Sequence, residues 1–144
     1  IPALNIALLI GLLARPGTKA YGRLSVLGQF CWEMTSLLAI PRSAFFPQPA
    51  VDSSWLRLIP RMIPAVPPDQ EPLLVDLVKI AFSQRRKTLV NCLSSHQWLS
   101  RPQAEALVRG LGLPPSVRAE ALSLEQFTVL TQTVGKMITQ GTKK

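Results

Sequence analysis

The segment Pro64-Ala65-Val66-Pro67-Pro68-Asp69 constrains the chain most. Proline fixes φ and carries no N–H, so neither a helix interior nor a central strand runs through such a stretch. A run this rich in proline is extended and stiff. Elements on its two sides must therefore begin and end independently. Their patterns also differ: the residues before it mix helical and extended segments, while those after it are helical throughout. The expected division is an α+β portion over 1–61, a linker over 62–70 and a small all-helical domain over 71–144.

Within the first portion, Leu4 to Leu13 reads as a buried helix or strand, and Arg15-Pro16-Gly17-Thr18-Lys19 breaks it. Leu24, Leu27 and Cys31 then share helical spacing. A strand is expected through Leu37 to Ile40, stopped by Pro41. A second is expected over Asp52 to Ile59, with Ser54, Leu56 and Leu58 opposite Trp55, Arg57 and Ile59. Such composition suits a strand buried on most of both faces. Two strands alone are marginal in water, so this half reads as the end of a larger sheet.

Beyond the prolines, Leu74, Leu77, Val78, Ala81 and Phe82 line one helical face, and Leu89 and Leu93 extend it, which predicts a helix from Glu71 to Leu93. A second helix is predicted over Ser100 to Gly110, with Ser100 as N-cap, Pro102 in the first turn and Gly110 as the stop. A third is predicted over Ser123 to Ile138, opened by a capping box between Ser123 and Gln126.

Sixteen Lys and Arg against eight Asp and Glu give 144 residues a net charge of +8. The cations are spread along the chain, which predicts a folded basic surface and an anionic partner, nucleic acid before membrane. The apolar opening run, Ala3 to Ala14, is shorter than the roughly 20 residues of a membrane span. It also lacks the charged leader of a signal peptide. Cys31 and Cys92 have no CxxC neighbour and read as buried, reduced thiols of a cytoplasmic protein. With His96 as the one histidine, neither a His-based metal site nor a Ser-His-Asp triad is expected; His96 is read as solvent-facing near a helix end. A start at Ile1 suggests a fragment.

The densest charge lies in Ser83-Gln84-Arg85-Arg86-Lys87. No acid falls between Lys79 and Glu105, which favours a positive surface facing phosphates. On a continuous helix the three cations would diverge by about 100° each, so one of them is a candidate for an internal ion pair with Asp52 or Asp76. Arg15, Lys19 and Arg23 surround the Pro-Gly turn; phosphate binding and an ordinary exposed loop are both consistent with them. Tyr21, Trp32, Trp55 and Trp98 are read as packing residues.

Four blocks carry a family resemblance: Tyr21-Gly22-Arg23-Leu24-Ser25-Val26; Ala44 to Ser53 (Ala-Phe-Phe-Pro-Gln-Pro-Ala-Val-Asp-Ser); Ala81 to Leu89 (Ala-Phe-Ser-Gln-Arg-Arg-Lys-Thr-Leu); and Leu122-Ser123-Leu124-Glu125-Gln126-Phe127. In this order, from about Ala14 to about Val134, they resemble the C-terminal half of the bacterial ribosomal RNA small-subunit adenine dimethyltransferases. The resemblance implies a Rossmann-like methyltransferase domain that binds S-adenosylmethionine, followed by a helical RNA-binding domain. It further implies dimethylation of two adjacent adenosines of 16S ribosomal RNA during small-subunit biogenesis. This chain would then hold one helix and the last two strands of the catalytic sheet, plus the helical domain. The family's glycine-rich cofactor loop, ribose-binding acid and Asn-Leu-Pro-Tyr motif have no counterpart in this sequence, and Asn5 to Ile10 departs from the polar helix start usual there. A divergent member, a frameshift and a truncated gene product all fit that departure.

By the same resemblance, Phe45 stacks on the extruded target adenine, with Phe46 the weaker candidate and Pro47 and Pro49 shaping the loop. Ala50 stands where the family often has lysine. Asp52 and Ser53 are expected to set the turn into the strand. Arg15, Lys19, Arg23, Arg85, Arg86 and Lys87 would bind RNA, and no residue of this chain would bind cofactor or metal. The expected partner is small-subunit ribosomal RNA within the immature 30S subunit. The alternatives are a non-catalytic ribosomal RNA-binding or assembly module and a non-functional truncated remnant.

Overall fold

The computed structural model describes residues 11–50, 52–62, 66–96 and 99–141. Of the expected Leu4–Leu13 element, residues 11–13 are described and are helical; the rest of it, like Trp98, lies outside the described residues. Helix α1, Arg23–Cys31, follows the Pro-Gly turn and leads directly into strand β1, Trp32–Ile40. A loop containing a 3₁₀ turn over Arg42–Ala44 returns the chain to β2, Ser53–Pro60. After the prolines come α2 (Glu71–Ala81), α3 (Leu89–Ser94), α4 (Arg101–Gly110) and α5 (Leu124–Gly141). The fold is α+β, an antiparallel strand pair and several helices.

The strands pair from Trp32↔Pro60 to Ile40↔Ser53. The register shifts between Ser36 and Leu38, so Leu37 bulges out of the ladder. β1 is therefore more than twice as long as the expected Leu37–Ile40 strand, because the β-branched and aromatic residues from Trp32 onward pair along the whole length of β2. The expectation of a second strand buried on most of both faces is corrected. Leu38, Leu58 and Ile59 are exposed, Trp55 is 62% exposed, and Trp32 is exposed rather than core. Among the described residues each strand has a single partner, and most residues of both strands are exposed.

The core instead gathers α1 with the helices beyond the prolines. Val26 and Phe30 of α1 join Leu74, Leu77 and Val78 of α2, Leu89 and Leu93 of α3, Leu107 and Val108 of α4, and Phe127, Leu130 and Val134 of α5. Packed against this core, the half-buried Phe82 ring meets Tyr21 edge-on, centroids 6.2 Å apart, and stacks on Phe127 at 6.0 Å. Tyr21 packs as expected, 1% exposed, and its hydroxyl donates to the Leu122 carbonyl at 2.8 Å. That bond ties the segment before α1 to the entry of α5. Cys92 is buried, but Cys31 is exposed, since it ends α1 on the side away from Val26 and Phe30.

The predicted Glu71–Leu93 helix is two helices. Its amphipathic stripe is correct, but α2 stops at Ala81 and Thr88 caps α3, accepting a hydrogen bond from the Asn91 N–H at 3.3 Å. Arg86 falls four residues after Phe82, so a continuous helix would turn its guanidinium toward the apolar stripe. Burying an unpaired charge costs several kcal/mol, and the break at 82–88 leaves Arg85, Arg86 and Lys87 exposed. The other helix starts match expectation. Gln103 Oε1 accepts from the Ser100 N–H at 2.8 Å, and the Ser123–Gln126 capping box closes with bonds of 2.9 and 3.3 Å. α4 does not stop through Gly110, which is helical. Gly112, at φ +70°, supplies the left-handed turn, with Leu113 N–H donating to the Val108 carbonyl and Gly112 N–H to that of Arg109.

Candidate nucleic-acid interface

Three sequence-distant segments build one basic depression of about 530 Å³, lined by Gly17, Thr18, Lys19, Arg85, Arg86, Arg118 and Glu120. Each segment is fixed by backbone hydrogen bonding. The Pro-Gly turn closes through Thr18 N–H and Thr18 Oγ1, both donating to the Arg15 carbonyl, with Gly17 in a left-handed conformation at φ +83°. Gly17 N–H then donates to the Glu120 carbonyl at 2.7 Å, joining this turn to the 3₁₀ turn Ala119–Ala121. Leu89 N–H donates to the Val117 carbonyl at 2.7 Å, joining the start of α3 to the same strand of chain. Val117 and Ala119 are buried, so the residues alternating with them, Arg118 and Glu120, turn outward.

Arg85 spans the depression. Its guanidinium donates to the Lys19 carbonyl, and its Nε lies 3.5 Å from Glu120 Oε2. An internal ion pair was expected for one of the three cations, with Asp52 or Asp76 as partner. The partner is Glu120 instead; Asp76 pairs with Lys79, and the Asp52 carboxylate accepts from the Arg42 N–H in the hairpin loop. Lys87 lies beside the depression, lining an adjoining hollow with Gln84, Arg85 and Arg86. Arg15 and Arg23 are exposed but line neither of these surfaces. Of the cations expected to bind RNA, Lys19, Arg85 and Arg86 line the depression and Lys87 the adjoining hollow; Arg118 and Glu120 line the depression without having been expected. The alternation around Val117 and Ala119 is the signal that points to the last two.

The hairpin loop is a separate feature. At about 3.3 Å per residue, the nine residues of β1 carry its tip roughly 30 Å from Trp32. The Asp52–Arg42 bond of 2.8 Å closes the loop's neck, and Arg42 Nη1 reaches the Ala50 carbonyl at 3.5 Å. Phe45 is 41% exposed, and Phe46, the weaker stacking candidate on sequence, is fully exposed. Both rings offer an apolar surface to a flat ligand.

Two side chains outside the depression have shifted proton affinities. Burial, with the Glu125 charge adding to it, pushes the Tyr21 phenol from 10.0 to about 12. The Ser123 hydroxyl, the Glu125 backbone and the Arg61 charge hold the Glu125 carboxyl below its ordinary range. Among the described residues no His, Cys, Asp and Glu cluster is arranged to hold a metal, and no helix is long and apolar enough to cross a membrane.

Comparison with known proteins supplies the family. The model of the ribosomal RNA adenine dimethylase family matches residues 9–136. "Ribosomal RNA small subunit methyltransferase A" of Moorella thermoacetica is 42% identical over 123 residues, which is 85% of this chain and 42% of that protein. The protein of the same name from Bacillus cytotoxicus is 40% identical over 123 residues, 83% of this chain and again 42% of the relative. The chain therefore spans well under half the length of these relatives. Among solved structures, a dimethyladenosine transferase from Plasmodium falciparum superimposes with a TM-score of 0.70 at 23% identity, covering 89% of this chain and 54% of that one. The 23S rRNA methyltransferase ErmE superimposes with a TM-score of 0.62 at 22% identity, covering 80% and 46%. At such identities the superpositions establish a shared fold. The family match over most of the chain, with the ordered blocks at Tyr21, Ala44, Ala81 and Leu122, shows that this chain belongs to the ribosomal RNA adenine dimethylase family.

Proposed function

We propose that this chain is the C-terminal part of an S-adenosylmethionine-dependent enzyme that dimethylates two adjacent adenosines of small-subunit ribosomal RNA, within the immature 30S subunit. On this reading β1 and β2 are the last strands of a Rossmann-like sheet, residues 71–144 form an RNA-binding domain, and the protein works in the cytoplasm. One observation carries the proposal: Lys19, Arg85, Arg86 and Arg118 converge on one depression from segments far apart in sequence. A solvated charge run disperses; cations assembled by tertiary structure create a field that an anion of extended shape fits. Phosphates along an RNA strand have that shape.

The roles follow from position. Arg86, Lys87 and Arg118 neutralise phosphates, and Lys19 presents its ammonium from the Gly17 turn. Phe45, at the hairpin tip, offers its exposed ring to the extruded adenine, offsetting stacking worth a few kcal/mol. Arg15 and Arg23, exposed outside the depression, are secondary phosphate contacts. S-Adenosylmethionine would supply the methyl group, but the described residues do not fit it. Such nucleotide cofactors sit at the carboxyl ends of parallel strands, against a glycine-rich strand-to-helix turn, whereas this sheet is an antiparallel pair. That mismatch also favours a second reading, in which the chain on its own acts as a non-catalytic RNA-binding module.

Two measurements test the proposal. RNA affinity as a function of salt is expected to weaken, with a shallower slope, in Arg86→Ala/Lys87→Ala; unchanged affinity and slope would overturn the RNA-grip assignment. The chain incubated with labelled S-adenosylmethionine and immature small subunits is expected to transfer no methyl group, and incorporation above background would refute the division of labour.

A further inference from the structure

The depression holds one acid among its cations, and that acid is already engaged. Glu120 Oε2 faces Arg85 Nε at 3.5 Å, while the same guanidinium donates to the Lys19 carbonyl. The Glu120 backbone carbonyl accepts from Gly17 N–H at 2.7 Å. Arg85 and Glu120 together therefore pin the Pro-Gly turn to the 3₁₀ turn that carries Arg118. Arg86 and Lys87 have the opposite character. Both are exposed, and no ion pair with an acid is found for either among the described residues.

We infer that Arg85 is a positioning residue rather than a phosphate ligand, and that Glu120 limits the charge of the site by holding Arg85 in an internal pair. The inference rests on the phosphate reading of the depression and divides its cations into two kinds. A phosphate that takes the Arg85 Nε displaces Glu120 from it, and the freed carboxylate then needs a cation of its own. The exchange leaves the number of released counterions unchanged. A phosphate approaching Arg86, Lys87 or Arg118 releases its counterion outright. The bidentate fork of Arg85 suits the positioning task, because it reaches a carbonyl and a carboxylate at once, which the single ammonium of lysine does less well.

The salt dependence of binding to in-vitro-transcribed small-subunit ribosomal RNA separates the two kinds. Each phosphate neutralised contributes about 0.7 to 0.9 to the slope of log K against log salt. Arg86→Gln is expected to lower the slope by about that amount. Arg85→Gln/Glu120→Gln removes the pair together and is expected to leave the slope at the wild-type value. Glu120→Gln alone is expected to steepen the slope by a similar 0.7 to 0.9 and to tighten binding by up to about fivefold at moderate salt, the range of an exposed pair. Amide hydrogen exchange in the same variants checks folding; protection is expected to fall at residues 17–19 of the double variant and to persist at Leu89. If the double variant loses slope as Arg86→Gln does, or if Glu120→Gln leaves the slope unaltered, the inference is wrong. If Arg86→Gln and Lys87→Gln both leave the slope and affinity at wild type, the phosphate reading itself fails, and the inference with it.

Discussion

Tyr21 shows how one side chain joins the part of the chain before α1 to the helical core. Its ring is buried against Phe82, and its hydroxyl donates to the Leu122 carbonyl at 2.8 Å. Tyr21→Phe keeps the ring and removes the donor. It is expected to cost on the order of 1 kcal/mol in denaturant unfolding, a typical net hydrogen bond, plus a share for the carbonyl left unpaired. The same residue sets an alkaline limit. The folded phenol titrates at about 12, the unfolded one at its ordinary value of 10.0. Between those values the unfolded chain has released a proton that the folded chain retains, so stability falls as pH rises. The contribution is complete below pH 10 and lost toward pH 12, on the order of 2–3 kcal/mol at 1.36 kcal/mol per unit. Tyr21→Phe, which has no phenol, is expected to lose less stability across that window than wild type. Equal losses in the two proteins would remove Tyr21 as the cause. Packing of Tyr21 was legible from its place in an apolar pattern; its partner was not, because nothing in the sequence pairs position 21 with the carbonyl at 122.

The break between α2 and α3 decides which way the basic block faces. Periodicity alone misses it, since Phe82 and Leu89 stand seven residues apart and keep the apolar stripe in phase across the turn. Thr88 is the local cause, capping α3 through its hydroxyl. Thr88→Ala is expected to destabilise the protein by about 1 kcal/mol. It is also expected to weaken RNA binding, because the cap fixes the exit from Arg85-Arg86-Lys87; Thr88→Ser should restore both. A Thr88→Ala protein with wild-type stability would show that tertiary packing of Leu89 and Leu93 suffices. The contrasting case is the capping box at Ser123 and Gln126, where the signal is confined to four residues and is legible from them. The stop of α4 shows the limit of such reading: Gly110 is the expected stop, and the left-handed backbone, at φ +70°, is found at Gly112. Gly112→Ala is expected to lower the thermal midpoint through a left-handed strain of about 1 kcal/mol, whereas Gly110→Ala, at a helical position open to solvent, is expected to raise it slightly.

Among the described residues the packed core lies in the helices, and the hairpin leaves most of its residues exposed. The second strand was legible from its residues and the stop at Pro60, and the first only over Leu37 to Ile40 before Pro41. Their exposure was not legible, because an apolar strand has the same sequence whether or not a neighbouring layer covers it. The consequence is an uneven distribution of stability. Hairpin residues such as Leu38, Trp55 and Leu58 bury little apolar surface, while Leu77, Phe127 and Leu130 are at most 1% exposed. A strand pair without a covering layer is marginal, and regions of low apolar contact open at a fraction of the global unfolding free energy. Native-state hydrogen exchange is therefore expected to show the amides of 32–60 opening sub-globally, with the α2 and α5 amides exchanging only on global unfolding. Phe127→Ala separates the two units further. It is expected to cost about 3–5 kcal/mol, because it removes a fully buried ring that stacks on Phe82. That loss should lower protection in the helices while leaving the local opening of the hairpin nearly unchanged. If hairpin amides in the wild type are as protected as those of Leu77 and Leu130, the two parts unfold as one unit, and the hairpin draws on a stabilising contact other than its own ladder.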